Sequence, residues 1–558
     1  MIDRRTFVKQ GALLGAASLA GPVPLLSRAG APDLVLRGGW VADGSGSPGR
    51  EADVAVTGDM ITGVGRIRDA GRVEIDLRGR VLAPGFIDIH SHADLNLLIE
   101  PRAESRIRQG VTTEVVGQDG SSILWSREAA ADRDRRWREA YGVEIDFHDL
   151  GGFLDRLERT PAAVNVASMV GHGTLRGAVM GGEDRAASRE EIQRMQALLR
   201  QGLAQGAVGL SSGLEYTPGS FAEADELIAL AEVLRDSGYP YASHMRNEDD
   251  RLLSAVEETL HVGRMAGVPV QVSHLKAQGR RNYWKAEVAL NMIEAARRDG
   301  VDVHFDRYPY VAYATGLSNL FPAWSRAGGN DALLRRLDDP DTAERIESSV
   351  RAKVALLGSW DAVQITSSGD GTRWARGRRL GELSAERGED PYALTLALMR
   401  RNGGGVGMIG FGMSEENTAE ILAHPLGMVC SDGGAYAPYG PLGESSPHPR
   451  GYGTFPRLLG HYVRELGALS LEEAVHKITG MPAAKLQLAD RGLIRVGNRA
   501  DLVAFDPGTV ADGATFEAPH GYPRGIEHVV VNGVVTIRDG EQTGTLAGRP
   551  IRGRAWDG

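Results

Sequence analysis

The chain has 558 residues, a length that exceeds one ordinary compact domain and suits a large domain with an accessory one. Hydrophobic residues make up 42% and charged residues 24%, so the sequence can bury a large core and is not that of a disordered chain. The net charge is −10 with no basic stripe, which argues against nucleic acid as a partner, and the single cysteine, Cys430, excludes an intramolecular disulfide and a cysteine-rich zinc module.

Residues 1–31 have the pattern of an export signal. Arg4 and Arg5 stand before an apolar, glycine-rich run over residues 11–21, which is typical of a twin-arginine signal peptide. The run is too short for a stable membrane span. We therefore expect a periplasmic or secreted protein with no stable span once the signal is removed. The alternative is a basic N-terminus with a chance arginine pair.

The two ends of the remaining chain share a β-rich texture. Short apolar runs separated by Gly and Asp turns occupy residues 32–83 and recur over residues 485–558. Because they flank a long α/β centre, they predict one small β-sandwich domain formed by both chain ends. Two unrelated strand clusters are the alternative.

The centre, residues 84–484, alternates apolar runs with helical patterns such as 189–202 and 221–237. This alternation predicts an α/β fold, a (β/α)8 barrel of the TIM type. Several strand candidates end in His or Asp, at the end where barrels form their active sites. The candidates are 86–90, 113–117, 164–170, 208–212, 239–244, 268–274, 301–305, 406–410 and 428–432. A barrel has eight strands, so one candidate is misread or lies outside it.

The alternation of strand and helix patterns is interrupted between about residues 313 and 401. The stretches 338–341 (Asp-Asp-Pro-Asp) and 367–371 (Ser-Ser-Gly-Asp-Gly) read as exposed turns. We interpret this stretch as an inserted subdomain or lid over the site.

His90 and His92 give the strongest local signal for chemistry. They close the run Pro-Gly-Phe-Ile-Asp-Ile-His-Ser-His over residues 84–92. Alternate residues of a strand share a face, so both imidazoles can point into the barrel mouth and bind one metal ion. The alternative is a pair of polar residues at a strand end.

Three further strand candidates end in a side chain that can bind a metal ion or act as a general base. His244 and His274 each close an apolar run, and Asp432 ends the last strand candidate. Either histidine alone is more often structural, but four histidines at three strand ends form a metal-ligand pattern. Asp432 could be a ligand, a general base beside a metal-activated water, or a helix cap.

Together these motifs resemble the amidohydrolase superfamily, and within it the D-aminoacylase (N-acyl-D-amino-acid deacylase) family. The resemblance covers most of the chain from residue 33 to about 540. It rests on residues 84–92, 110–113, 171–176, 209–214, 243–248, 273–276, 308–310, 431–433 and 448–450. It implies a barrel with a β-sandwich built from both ends. It also implies one or two divalent metal ions, most simply zinc, held by the four histidines, with Asp432 as the base.

One position departs from the family pattern. After the second strand the family has a metal-binding cysteine in an Asn-Cys-Gly sequence, whereas this chain has Asp119 between Gln118 and Gly120. A carboxylate can bind or bridge divalent metals, but it is a harder ligand than thiolate. We expect Asp119 to be a metal ligand; a plain turn residue is the alternative. Glu114 is a weaker candidate, because it lies earlier on the same strand.

The resemblance also points to residues that face the substrate. Arg450 is the preferred clamp for the α-carboxylate of an N-acyl amino acid. Lys276, Tyr216 and Tyr308 are expected to contact the substrate as well. The alternatives are a solvated charge at the rim for Lys276 and packing within the barrel for Tyr308. His172 is expected either to hydrogen-bond the reacting group or to support the site from behind.

These features predict a metal-dependent hydrolase that cleaves the amide bond of an N-acyl-D-amino acid or a related small molecule. A dipeptidase, a cyclic amidase or a lactonase is the alternative on the same site, and an inactive metal- or solute-binding relic is a remote one. The sequence shows no phosphate-binding glycine motif, so it gives no indication of an organic cofactor. The sequence leaves the oligomeric state open.

Overall fold

A computed structural model describes residues 30–558, so the predicted signal over residues 1–31 lies outside the described residues except for its last two. The strands of the described part, in chain order, are β1 Leu34–Val41, β2 Arg50–Thr57, β3 Met60–Gly65, β4 Val73–Asp76, β5 Val81–Pro84, β6 Phe86–Asp88, β7 Val111–Val116, β8 Asn165–Ser168, β9 Val170–Gly171, β10 Leu210–Gly213, β11 Tyr241–His244, β12 Val270–Val272, β13 Val303–Arg307, β14 Ala312–Gly316, β15 Val363–Ser367, β16 Gly407–Phe411, β17 Gly427–Val429, β18 Leu502–Phe505, β19 Ile526–Val531, β20 Val534–Arg538 and β21 Glu541–Gln542.

The α-helices of the same part are α1 Asn96–Ile99, α2 Glu104–Ile107, α3 Arg127–Tyr141, α4 Leu150–Arg159, α5 His172–Met180, α6 Arg189–Ala204, α7 Ala224–Ala231, α8 Leu252–Ala266, α9 Lys285–Arg298, α10 Asn330–Arg336, α11 Pro340–Leu357, α12 Leu380–Arg387, α13 Pro391–Arg401, α14 Glu415–Ala423, α15 Arg450–Arg457, α16 Leu471–Lys477 and α17 Gly480–Lys485. Within residues 30–558, none of the helices combines the length and the apolar character that a membrane span requires.

Strands from both ends of the chain form one sheet. Its order is β21-β20-β19-β18-β5-β1-β2-β3, with β4 paired to β1 on the side. The seam between the two ends is the antiparallel pair β18–β5, where Leu502 faces Pro84 and Phe505 faces Val81. A separate apolar cluster that includes Leu36 packs residues from both ends against each other. The β domain predicted from the two chain ends is thus one folded unit.

The centre of the chain is a barrel with eight strand positions. These are β6, β7, the broken strand β8/β9, β10, β11, β12, β13 and β17, and their ladders are parallel. All six residues of β7 are buried, as expected for a parallel strand that is covered on both faces. Backbone hydrogen bonds close the barrel beyond the last ladder, because Asp432 N donates to His90 O at 2.9 Å and His92 N donates to Gly433 O at 3.0 Å.

The ninth strand candidate, residues 406–410, lies outside the barrel. It corresponds to β16, which pairs antiparallel with β14 and β15 in a separate three-stranded sheet. The inserted part therefore continues past residue 401 to the end of β16. An apolar run indicates a strand, but its partner is chosen by contacts distant in sequence, and this is why the run looked like a barrel strand.

A buried ion cluster joins the first, second and last barrel strands beneath the site. The Arg106 guanidinium pairs with the carboxylates of Asp88 and Glu114, and all three side chains are fully buried. Asp88 in turn accepts a hydrogen bond of 2.9 Å from Ser431 N. Glu114, the weaker metal candidate, is thus occupied as an ion-pair partner below the barrel mouth. The cluster fixes the backbone that leads into Asp432.

Candidate active site

The predicted metal ligands converge at the carboxyl ends of the barrel strands. His90 and His92 follow β6, Asp119 follows β7, His244 is the last residue of β11, and His274 follows β12. Ligand atoms of His90, Asp119, His274 and Asp432 all lie within 4.8 Å of one another. Parallel strands bring these ends to one face of the barrel, and this is where residues distant in sequence can form one site.

The Asp119 carboxylate lies at the centre of the four histidines. Its Oδ1 is 3.3 Å from His90 Nε2 and 3.6 Å from His274 Nε2. Its Oδ2 is 3.5 Å from His92 Nε2 and 3.3 Å from His244 Nδ1. Each carboxylate oxygen therefore faces one imidazole pair. The carboxyl group is buried, but the neighbouring histidines hold its pKa well below the ordinary value.

Asp432 lies on the other side of His90 and His92. Its Oδ1 is 3.1 Å from His92 Nε2 and 3.7 Å from His90 Nε2. Its Oδ2 accepts a hydrogen bond of 2.7 Å from Arg450 Nη1. Burial by itself would raise the pKa of Asp432, but Arg450 and His274 outweigh it and hold that pKa far below the ordinary value. Asp432 is therefore held as a carboxylate.

The donor set fits a divalent metal ion. His90 Nδ1, His90 Nε2 and Asp119 Oδ1 are buried and make no hydrogen bond within the described residues. Buried polar atoms are rarely left in this state unless a ligand or ion completes them. Tetrahedral zinc ligands at about 2.0–2.1 Å from the metal lie roughly 3.3 Å apart. The separations of 3.3–3.6 Å around Asp119 match that spacing.

Three residues of this cluster have an unusual backbone conformation. Asp119, His274 and Asp432 have φ angles of 52°, 34° and 50°, in the left-handed region that non-glycine residues seldom adopt. Such conformations persist where the surrounding structure over-determines them. Three strained residues from three strand ends mark this end of the barrel as the functional face.

Two carboxylates that the sequence analysis missed lie behind the histidines. Asp306, in β13, is 3.5 Å from His90 Nδ1, and Glu248 Oε1 is 2.9 Å from His274 Nδ1. Both carboxylates lie beside the ring nitrogen on the far side of the imidazole, a position from which a carboxylate favours the orientation of a metal-binding histidine. Asp306 could have been found as an acid near the end of a predicted strand, as Asp432 was.

A third missed carboxylate, Glu215, supports His244. Glu215 follows β10, and its Oε2 is 3.3 Å from His244 Nε2. Burial raises the pKa of Glu215, but Lys353 and His244 more than offset this and lower it. Nothing local in the sequence signals this role, because Glu215 lies in the loop after its strand.

A cavity of about 510 Å³ opens beside these groups. Its wall includes three of the residues predicted to face the substrate: Lys276, Tyr216 and Arg450. Lys276 Nζ donates to Glu248 and lies 2.9 Å from His274 Nδ1. The Tyr216 hydroxyl is 3.2 Å from Thr315 Oγ1 in β14 of the inserted part. The cavity is therefore lined both by candidate metal ligands and by the cationic side chains of Lys276 and Arg450.

The other two predicted substrate residues do not line this cavity. Tyr308 is fully buried, with the Arg450 guanidinium carbon 4.7 Å from its ring centre. His172 is also fully buried, and its Nε2 lies 2.8 Å from Glu226 Oε1. Substrate contact by Tyr308 and His172 stays a prediction: both side chains are buried outside the cavity wall, and the Tyr308 hydroxyl and His172 Nδ1 have no hydrogen-bond partner among the described residues. A strand-end position in the sequence does not distinguish contact with the substrate from support behind it.

Comparisons with known proteins agree with this geometry. The model of the amidohydrolase family matches residues 73–537. The chain is 40% identical to the D-aminoacylase of Alcaligenes xylosoxydans xylosoxydans over 93% of its own length and 97% of that protein.

Two solved structures extend the similarity to the fold. A D-aminoacylase structure, reported with a binuclear metal centre, has a TM-score of 0.78 and 40% identity, covering 93% of this chain and 100% of that one. An N-acyl-D-glutamate deacylase from Bordetella bronchiseptica, complexed with zinc and a phosphonate inhibitor, has a TM-score of 0.78 and 34% identity over 94% and 100% of the two chains. The predictions of family, fold class and enzyme class are confirmed. The chain belongs to the D-aminoacylase family of the amidohydrolase superfamily and is a divalent-metal-dependent hydrolase of C–N bonds other than ordinary peptide bonds.

Proposed function

We propose that this protein hydrolyses the amide bond of an N-acyl-D-amino acid. The observation that carries the proposal is the juxtaposition, in one cavity, of the Asp119 and histidine cluster, the Asp432 carboxylate, and the cations Lys276 and Arg450. Three relatives that cover 90% or more of this chain are named D-aminoacylase, N-acyl-D-glutamate deacylase and N-acyl-D-aspartate deacylase.

The four histidines around Asp119 would hold one or two ions, with Asp119 as a further ligand. His90 and His92 would hold one ion, and His244 and His274 would hold another or the principal one. Zinc suits the imidazole ligands, and the zinc-containing relative supports that choice. When bound, the ion would supply a nucleophilic water at neutral pH and polarise the scissile carbonyl.

Asp432 is proposed to move the proton in this reaction. Its Oδ1 faces His92 across 3.1 Å, while Arg450 engages Oδ2. Held as a carboxylate, Asp432 accepts the proton of the attacking water and later passes it to the leaving amine nitrogen. The Arg450 contact fixes one oxygen, so the proton is handled at the other.

Lys276 and Arg450 are proposed to orient the substrate through its α-carboxylate. Both line the cavity, and both side chains are almost fully buried, at 3% and 4% exposure. A carboxylate gains most from cations in such a water-poor setting. Tyr216, opposite the inserted part, would contact the remainder of the substrate.

A substrate panel tests the proposal. We expect N-acetyl-D-amino acids to be hydrolysed with higher kcat/KM than their L-enantiomers. Preferred turnover of D-residue dipeptides, cyclic amides or lactones would replace the deacylase proposal by one of those activities on the same site.

We also propose that the protein is exported through the twin-arginine pathway. The support is the Arg4-Arg5 pair before the apolar run of residues 11–21. Replacing both arginines by lysine should block export of a reporter fused after residue 31. Unchanged export would contradict the proposal.

A further inference from the structure

The inserted part of the chain reaches the ligand cluster through Glu215. Lys353, on α11, places its Nζ 3.8 Å from Glu215 Oε1 and 2.7 Å from Asp249 Oδ2. Arg326, also in the inserted part, donates from Nη2 to the backbone oxygen of Glu215 at 2.9 Å. Both the side chain and the backbone of Glu215 are therefore held from the insertion.

On its other side, Glu215 faces the outer nitrogen of His244. The distance from Glu215 Oε2 to His244 Nε2 is 3.3 Å, and His244 Nδ1 lies 3.3 Å from Asp119 Oδ2. A neutral imidazole carries one N–H and one lone pair. If Nε2 donates its hydrogen to Glu215, the lone pair of Nδ1 is directed to the ligand cluster.

Burial makes this arrangement depend on Lys353. The side chains of Glu215, Lys353 and Asp249 are only 14%, 16% and 10% exposed. A buried carboxylate without a cation is strongly disfavoured. Lys353 therefore keeps Glu215 in place as the acceptor for His244, and Asp249 holds Lys353 from the barrel side.

We propose that Lys353 and Glu215 form a positioning pair by which the inserted part sets the tautomer and orientation of His244. The inference rests on the proposed metal role of His244 and adds a dependence of that role on the insertion. Neither residue contacts the reacting atoms in this account, because both act through the imidazole.

The test compares four full-length variants: Glu215→Gln, Glu215→Leu, Lys353→Met and Arg351→Met. Arg351 is the matched control, since it lies on the same helix as Lys353 and pairs with Glu347 and Asp390 at the surface. Each metal-free protein is titrated with Co²⁺ against a competing chelator, and the visible absorption of bound Co²⁺ is recorded. Circular dichroism verifies folding, and kcat and KM are measured separately.

We expect Glu215→Leu to weaken Co²⁺ binding by about 10–100-fold, the usual effect of losing such a partner. Glu215→Gln should lose less, because its amide oxygen still accepts from Nε2. Lys353→Met should weaken binding and alter the Co²⁺ spectrum, with kcat falling more than KM rises, whereas Arg351→Met should match wild type.

Two results would overturn the inference, and they are distinguishable. If wild type binds Co²⁺ and hydrolyses substrate while folded Glu215→Leu and Lys353→Met keep its affinity and spectrum, the positioning pair is wrong and the proposed function stands. If wild type binds no Co²⁺ at all, the proposed function fails together with the pair.

Discussion

The two carboxylate oxygens of Asp432 have different neighbours, and this difference is the main feature of the site at the scale of single residues. Arg450 engages one oxygen, while the other faces His92. A carboxylate used as a proton acceptor must be ionised and correctly aimed. The left-handed backbone at Asp432, with φ of 50°, aims it and is stabilised by the hydrogen bond from its own N–H to His90 O.

Replacing Asp432 by asparagine tests its proposed role as base. Asparagine keeps the shape and the contact with Arg450 but cannot take up a proton. We expect kcat to fall by about 10²–10⁴-fold, with binding of N-acetyl-D-amino acid retained. Steady-state kinetics and metal content on the same sample separate loss of the base from loss of metal; activity near wild type would show that another group accepts the proton.

At the same scale, the sequence predicted the residues that end strands and missed those behind them. His90, His92, His244 and His274 were identifiable because each closes an apolar run. Glu215 was not, since its partner His244 lies 29 positions away and only the fold brings them together. For Tyr308 the motif predicts contact with substrate, whereas the side chain is fully buried and does not line the cavity, so that contact stays a prediction.

At the level of elements, the buried Arg106 cluster determines how β6, β7 and the segment after β17 meet. Arg106→Met would leave the carboxylates of Asp88 and Glu114 buried without their cation. We expect the free energy of unfolding to fall by about 3–5 kcal/mol. Denaturant unfolding gives this value directly.

The control for that change is Arg135→Met, which removes an exposed ion pair with Asp132 whose arginine side chain is 73% exposed. Surface pairs of this kind contribute about 0–1 kcal/mol. Equal losses in the two variants would mean that the buried cluster is not a specific source of stability.

Element identity was more predictable than element pairing. The run at residues 406–410 was recognised as a strand, but β16 lies in the antiparallel sheet with β14 and β15. Barrel and insertion strands have the same apolar texture over such short lengths. What separates them is the partner strand, and that depends on the path of the intervening chain.

At the level of the whole molecule, both chain ends are needed for one sheet. The seam β18–β5 joins residues 81–84 to residues 502–505. The sequence indicated this union because the two ends share one texture. It did not indicate the order of the strands, since β4 pairs with β1 from the side and so departs from a simple meander.

Lys485, at the end of α17, links the stability of the whole molecule to pH. Burial lowers the pKa of Lys485 to about 7, whereas an unfolded lysine has a pKa of about 10.4. Below pH 7 both states carry the proton, and the burial cost is fully present. Between about pH 7 and 10.4 only the unfolded state holds the proton, so stability rises with pH in this window.

Lys485→Met should therefore raise the melting temperature most at pH 7 and below. The difference from wild type should shrink as the pH approaches 10. Thermal unfolding of both proteins at pH 7.0 and 9.5 measures this difference. A gap that is the same at both pH values would show that burial does not lower the pKa of Lys485.

The central claim is that a divalent metal, held around Asp119, drives deacylation of N-acyl-D-amino acids. Its most direct test is elemental analysis of wild type and Asp119→Ala, with hydrolysis of N-acetyl-D- and N-acetyl-L-amino acids assayed on the same samples. We predict metal and D-selective hydrolysis in wild type, and loss of both in the variant. Wild-type protein that contains no metal when purified without chelator, or a variant that keeps its metal and its turnover, would contradict the account.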